Sequence, residues 1–409
     1  MKPFTRRHLV SGAAASLAGA AGAAVADLSS ARDDFPWGQN ETFLNNAGWH
    51  PIGVHSIRAM ERYLDYKLKG PGEGRDDVGD ARQNEVKRMF AQLIHAKPAE
   101  ISFVPSTLVG ENLVVAGLGL PGSQANLVTD ELHYEGSLYM YRSLQKAGLD
   151  VRIAKRRDDW RIHTDDVAKL VDRRTKLIAT SFVSYINGYV ADARALAELA
   201  HSHGAYLYSD IIQAAGAVPI DVHAAGIDFA ACSGYKWLMG DRGLGYLYVK
   251  EELQGTALRR TQYGDRQFAN FEYHTFPHDS PGQEPVTWTQ VNKGAGSYYE
   301  VGNISNAAVA CQSESLKYIL GLGVDTIRAH ARPLTNKLRK ELPRLGYPCI
   351  TPEGNESPIV SFVVENPAAA RAKLAKARVA AKVEWHQMRV SPSVYNNEGD
   401  IDRLLNALG

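Results

Sequence analysis

Between residues 127 and 249, short apolar runs alternate with amphipathic stretches, and that alternation limits the folds open to this chain. Residues 127–130, 151–154, 177–183, 206–209, 229–233 and 244–249 read as buried strands. Residues 135–147, 164–171 and 193–203 carry helical spacing between them, and Asp192 is placed to cap the last of these. Strands that are apolar on both faces and joined through helices imply a largely parallel sheet with both faces covered. The expected fold class is therefore α/β.

The alternation stops near residue 255. Residues 255–295 are polar, aromatic and rich in Gly and Pro, too long for an idle connection, and read as a functional loop or an intersubunit arm. Helical patterns follow over 297–320 and 324–342, then a strand (358–364), a helix (368–376) and a closing helix (399–408). These form a small α+β domain. The expected division is a leader (1–26), a segment packing on the small domain (27–50), a large domain (51–296), and a linking helix with the small domain (297–409).

The leader carries Arg6-Arg7 before an Ala/Gly-rich run, and Ala24-Val25-Ala26 fits a cleavage site. This reads as a twin-arginine export signal, implying the export machinery as a partner, a periplasmic location and no membrane anchor after cleavage. Lys and Arg total 46 against 45 Asp and Glu, and no basic tract carries interleaved aromatics, so a nucleic-acid partner is not expected. Cys232, Cys311 and Cys349 are widely spaced and read as buried apolar residues; no metal-ligand spacing is present.

Chemistry concentrates at two strand ends. Tyr206-Leu-Tyr-Ser-Asp210 delivers an acid, and Phe229 to Ser233 leads into Gly-Tyr-Lys236-Trp237. An acid that keeps a pyridine nitrogen protonated and a lysine that holds an aldehyde as a Schiff base suit pyridoxal 5'-phosphate (PLP). The glycines of Gly240-Asp-Arg-Gly243-Leu-Gly245 can turn the chain sharply beside a cofactor. Pro105-Ser106-Thr107 precedes a helical stretch, and hydroxyls with free N–H groups at a helix start favour a phosphate.

Ser209-Asp210-x-x-Gln213-Ala-Ala-Gly216, Pro219-Ile-Asp221-Val222, Gly226-x-Asp228-Phe229 and Ser233-Gly-Tyr-Lys236-Trp-Leu-x-Gly240 resemble class V aminotransferases. These are fold-type-I PLP enzymes, a group that includes cysteine desulfurases, kynureninases and isopenicillin N epimerase. The resemblance runs from Phe43-Leu-Asn-Asn46-Ala47 to Arg389-Val-Ser-Pro-x-x-Tyr395-Asn396. It implies a mostly parallel sheet of the seven-stranded type between helices, and a homodimer with shared sites. Lys236 resembles the Schiff-base lysine, Asp210 the pyridine-nitrogen partner, and Gln213 a neighbour of the phenolic oxygen or Schiff base. Ser106 and Thr107 resemble the phosphate turn, which Ser233 and Tyr235 complete. Many relatives have histidine before the lysine; Tyr235 is more like kynureninases. Tyr134 is expected over the ring face, with His133 in reserve. Tyr185 replaces an expected asparagine, and Asn303 stands where relatives reach the neighbouring subunit's phosphate. Arg389 resembles the α-carboxylate clamp, with Asn46 also at the substrate.

The resemblance implies an aminotransferase-like enzyme acting on an amino acid or an amino-bearing natural product. Periplasmic tailoring of a siderophore is one setting. Alternatives are an epimerase, a C–C or C–S lyase, or a PLP-fold binding module without turnover. Residues 350–389 contain no cysteine, which argues against desulfuration through a persulfide.

Overall fold

The computed structural model describes residue 28, residues 30–276 and residues 284–409; the leader lies outside them. The first strand is β1 (Thr42–Phe43). A seven-stranded sheet then takes β2 (Ile101–Val104), β3 (Asn126–Asp130), β4 (Asp150–Ala154), β5 (Thr175–Ser181), β6 (Tyr206–Asp210), β7 (Phe229–Ser233) and β8 (Gly245–Val249). Its order is β2-β8-β7-β6-β5-β3-β4, and only β8 runs against its neighbours. Strand side chains alternate between faces, so Leu127, Leu177, Tyr208 and Phe229 enter one core while Val128, Ile178, Leu207 and Ala230 enter the other. This is the expected parallel sheet covered on both faces. β2 was not among the expected strands; its four buried residues, three of them apolar, complete the sheet at the edge beside β8.

Residues 255–295 contain an antiparallel hairpin, β9 (Phe268–Tyr273) with β10 (Val286–Gln290). The helix expected from 297 begins later, at Asn306, where the Ser305 hydroxyl caps it by accepting from the Ala308 N–H at 3.3 Å. Glu300, inside the expected helix, instead accepts from the Phe103 N–H at 2.9 Å and pairs with Lys87, pinning the chain to β2.

The C-terminal part builds β11 (Val360–Val363), β12 (Val379–Ala380), β13 (Lys382–Glu384) and β14 (Gln387–Val390). β14 lies between β11 and β13, and a separate core of Leu334, Leu338, Phe362, Met388 and Leu404 packs beneath. β1 pairs with β12, and Asn45 bridges to Ser391, so the N-terminal segment is stitched to this part.

Candidate active site

Parallel strands deliver their C-terminal ends to one edge of the sheet, where α/β ligands gather. Asp210 ends β6, with Ser181 beside it on β5 and Ala231 on β7. It is 2% exposed, and its Oδ1 accepts from the Ile212 N–H at 2.9 Å. Burial lifts its pKa to about 6, while His133 and Lys236 pull the other way. Its Oδ2 has no hydrogen-bond partner among the described residues.

Lys236 follows β7 by three residues and is also buried. Its amine makes no hydrogen bond or ion pair among the described residues; the Tyr235 ring lies 5.7 Å away. Burial, then the Arg389 charge, pushes its pKa down to about 8, with Asp210 opposing. The loop presenting it closes on itself: the Gly240 N–H donates to the Gly234 carbonyl at 2.9 Å, and the Met239 N–H to the Lys236 carbonyl at 2.8 Å. Gln312 packs into this loop so closely that a Cβ at Gly234 would sit 2.2 Å from its Oε1, and one at Gly240 2.4 Å. A side chain at either position would have to displace the Gln312 amide.

Gln213 also has a part in the scaffold. Its Nε2 donates to the Ala47 carbonyl at 2.9 Å and its Oε1 accepts from the Trp237 indole at 2.8 Å. With both ends engaged, Gln213 braces the lysine loop against the N-terminal segment. The His50 N–H, donating to the Tyr235 carbonyl at 3.0 Å, ties the same loop from the other side.

Ser106 caps the Thr107–Gly117 helix, accepting from the Val109 N–H at 3.3 Å. Thr107 and Ser233 lock reciprocally: the Thr107 N–H donates to Ser233 Oγ at 2.8 Å, and the Ser233 N–H to Thr107 Oγ1 at 2.9 Å. The helix start is thereby fixed to the end of β7. Tyr235 is half-buried, with the Arg242 guanidinium 5.6 Å from its ring.

Tyr134 stands at the start of the Glu135–Lys146 helix, half-buried, meeting the Tyr185 ring edge-on at 5.7 Å. His133 is wholly buried, its Nδ1 2.8 Å from Ser181 Oγ and its Nε2 3.0 Å from Glu111 Oε1.

Arg389 projects from β14 and is 3% exposed. Nη1 donates to the Tyr185 carbonyl at 2.9 Å and Nη2 to Asn45 Oδ1 at 3.2 Å; Nε has no partner. No carboxylate pairs with it among the described residues, and burial pushes its pKa down to about 10. Asn46 does not take the contact expected of it. Its Nδ2 donates to the Ser391 carbonyl at 2.8 Å and its Oδ1 accepts from the Tyr395 hydroxyl at 2.7 Å, so it is scaffold. Asn45 reaches Arg389 instead. Asn303 lies exposed, bonded to Arg266 at 3.3 Å, and touches none of these groups within the chain.

Asn45, Glu111 and Gln312 are site residues that sequence reasoning missed. Glu111 did leave a signal, as the one charge in a mostly apolar helix.

The groups present fit PLP: a buried amine without a counter-ion, an acid with an open oxygen, and a buried guanidinium with an open Nε. Fold and site define a fold-type-I PLP-dependent enzyme. Residues 79–404 match the family model described as Aminotransferase class-V, and the chain belongs to that family, with PLP as its cofactor.

The chain is 26% identical over 339 residues to a probable cysteine desulfurase of Methanothermobacter thermautotrophicus, covering 82% of this chain and 81% of that protein. A cysteine desulfurase structure from Escherichia coli is similar at TM-score 0.79 and 21% identity, over 93% of this chain and 97% of that one. A cystine C–S lyase solved with its product, cysteine persulfide, is similar at TM-score 0.78 and 20% identity, over 91% and 98% of the two chains. A mutant of that lyase was solved with glycine covalently linked to its PLP cofactor. At these identities the solved structures speak to fold.

Proposed function

We propose that this enzyme binds an α-amino carboxylate and moves a proton at its Cα, in aminotransferase-type chemistry. The observation that carries this is the pairing of two buried cationic groups, Lys236 and Arg389, neither matched by an ion pair. When bound, PLP supplies an electron sink that stabilises negative charge at the substrate Cα. Arg389 takes the carboxylate with its planar fork, held in aim by Tyr185 and Asn45. Lys236 would hold the cofactor's aldehyde and would serve as the base at Cα; a pKa of about 8 suits both tasks. Asp210 would hold a negative charge opposite the pyridine nitrogen. The start of the Thr107–Gly117 helix, with Ser106, Thr107, Ser233 and Tyr235, would receive the phosphate, and Tyr134 would cover the ring.

One second reading has specific support: C–S bond cleavage, the chemistry in the names of the relatives. A persulfide on a protein cysteine is not supported. Cys232 and Cys311 are buried and Cys349 is half-buried, and burial raises all three thiols. Elimination from a sulfur amino acid needs no protein thiol. Export by the Arg6-Arg7 leader and a homodimer with shared sites complete the proposal; cell fractionation and sedimentation test them.

The reaction is tested by supplying amino acids, cysteine and cystine among them, with and without keto-acid acceptors. Acceptor-dependent keto-acid release without ammonia marks transamination, whereas pyruvate with equimolar ammonia marks elimination. No product and no spectral change with any α-amino carboxylate would reject the reading.

A further inference from the structure

We infer that Glu111 is a positioning residue that, acting through His133, keeps Asp210 ionised at the end of β6. The inference rests on the reading that Asp210 faces the pyridine nitrogen.

Glu111 sits at 1% exposure in the mostly apolar Thr107–Gly117 helix. Its carboxylate accepts three hydrogen bonds, from His133 Nε2 at 3.0 Å and from the Ser137 and Tyr141 hydroxyls. An acid this deep is costly unless a cation pairs with it, and His133 is the partner here that can become one. The other imidazole nitrogen meets Ser181 Oγ at 2.8 Å, and Ser181 is the residue opposite Asp210 in the β5–β6 register. The imidazole is thus clamped at both nitrogens, between the helix that begins the phosphate turn and the strand beside Asp210.

The charges around the imidazole favour its cation. Burial pulls His133 down, but Glu111, with Asp130 and Asp210, raises it on balance. Tyr141, the remaining titratable neighbour, is held neutral by burial. Around Asp210, His133 is the strongest influence favouring the carboxylate and Lys236 a weaker one, while Glu111 itself opposes. Tyr134, Tyr208, Cys232 and Tyr235 also border Asp210, and burial keeps each protonated. Glu111 therefore disfavours the Asp210 charge directly and favours it through His133. Without a charged His133, burial leaves Asp210 still closer to its neutral form, which cannot hold a proton on the pyridine nitrogen.

Glu111→Gln keeps the shape and removes the charge. Two measurements on the full chain are decisive. In apo protein, imidazole 15N shifts of His133 are expected to show a cation at pH 7 in the wild type and a neutral ring in Glu111→Gln. In protein loaded with PLP, the pH midpoint of the visible band is expected to move by about one pH unit or more, with cofactor held roughly tenfold more weakly. His133→Gln, which can keep the bonds without the charge, is expected to move the same midpoint and covers a Glu111→Gln that fails to fold. An unchanged His133 titration in Glu111→Gln, or unchanged midpoints with only a fall in thermal stability, would overturn the inference. Wild type that takes up no PLP would instead overturn the cofactor role of Asp210, and the apo measurement still reports on Glu111 and His133.

Discussion

Burial pushes the Lys236 amine down to about 8 and the Arg389 guanidinium down to about 10, so each yields its proton more readily than in water. Only the neutral amine attacks an aldehyde, so the rate of visible-band formation with PLP should rise with pH, with a midpoint near 8 rather than near the ordinary 10.5. The same burial has a stability consequence of defined sign. Below about 8 the folded apo chain keeps an ammonium out of water, a penalty the unfolded chain does not carry. As pH climbs from about 8 to 10.5 the penalty disappears, about 3 kcal/mol in all. Urea unfolding of apo wild type against Lys236→Met across that range should show the difference closing.

Arg389→Ala should raise KM for carboxylate substrates about 10- to 100-fold, the worth of a charge-assisted pair of hydrogen bonds. Arg389→Lys should not restore it, because an ammonium lacks the fork; an unchanged KM in Arg389→Ala removes the clamp role. Asp210, Lys236 and Arg389 could be nominated from the sequence because each sits in a local motif at a strand end or within a strand. The roles of Gln213 and Asn46 were not legible there, because an amide's role depends on partners remote in sequence: Ala47 for one, Tyr395 and Ser391 for the other.

The strands and helices around the site followed from period and capping. β3 and β5 to β8 carry largely buried apolar runs, the edge strand β4 is half-buried, and Asp192 caps its helix by accepting from the Ala195 N–H at 3.0 Å. β2 escaped notice because its short run, broken by Ser102, lies outside the strand–helix alternation of residues 127–249, and β9–β10 because their aromatic side chains point outward, with Phe271, Tyr273 and Trp288 exposed. The loop from Ser233 to Gly240 is held by packing that no local pattern announces, since Gln312 lies more than seventy residues away in the chain. Gly234→Ala should cost about 1–3 kcal/mol through the clash with Gln312 and weaken PLP retention with it. Calorimetry paired with cofactor titration checks both; a variant with wild-type Tm and affinity would show the loop to be slack.

Across the whole molecule, the N-terminal segment is the tie between parts. β1 joins β12, Asn46 joins Ser391 and Tyr395, Ala47 receives Gln213, and His50 holds the chain beside Lys236. Tyr395→Phe removes one buried hydroxyl from this tie and leaves the Asn46 Oδ1 without its donor, so a loss of about 1–3 kcal/mol is expected in urea unfolding. An unchanged midpoint would mean the segment contributes little to holding the two parts together.

The most direct measurement is to load purified protein with PLP, reduce with borohydride, digest and map the modified peptide by mass spectrometry. The label should fall on Lys236 alone. Label on a different lysine, or none at all despite excess cofactor, would contradict the site described.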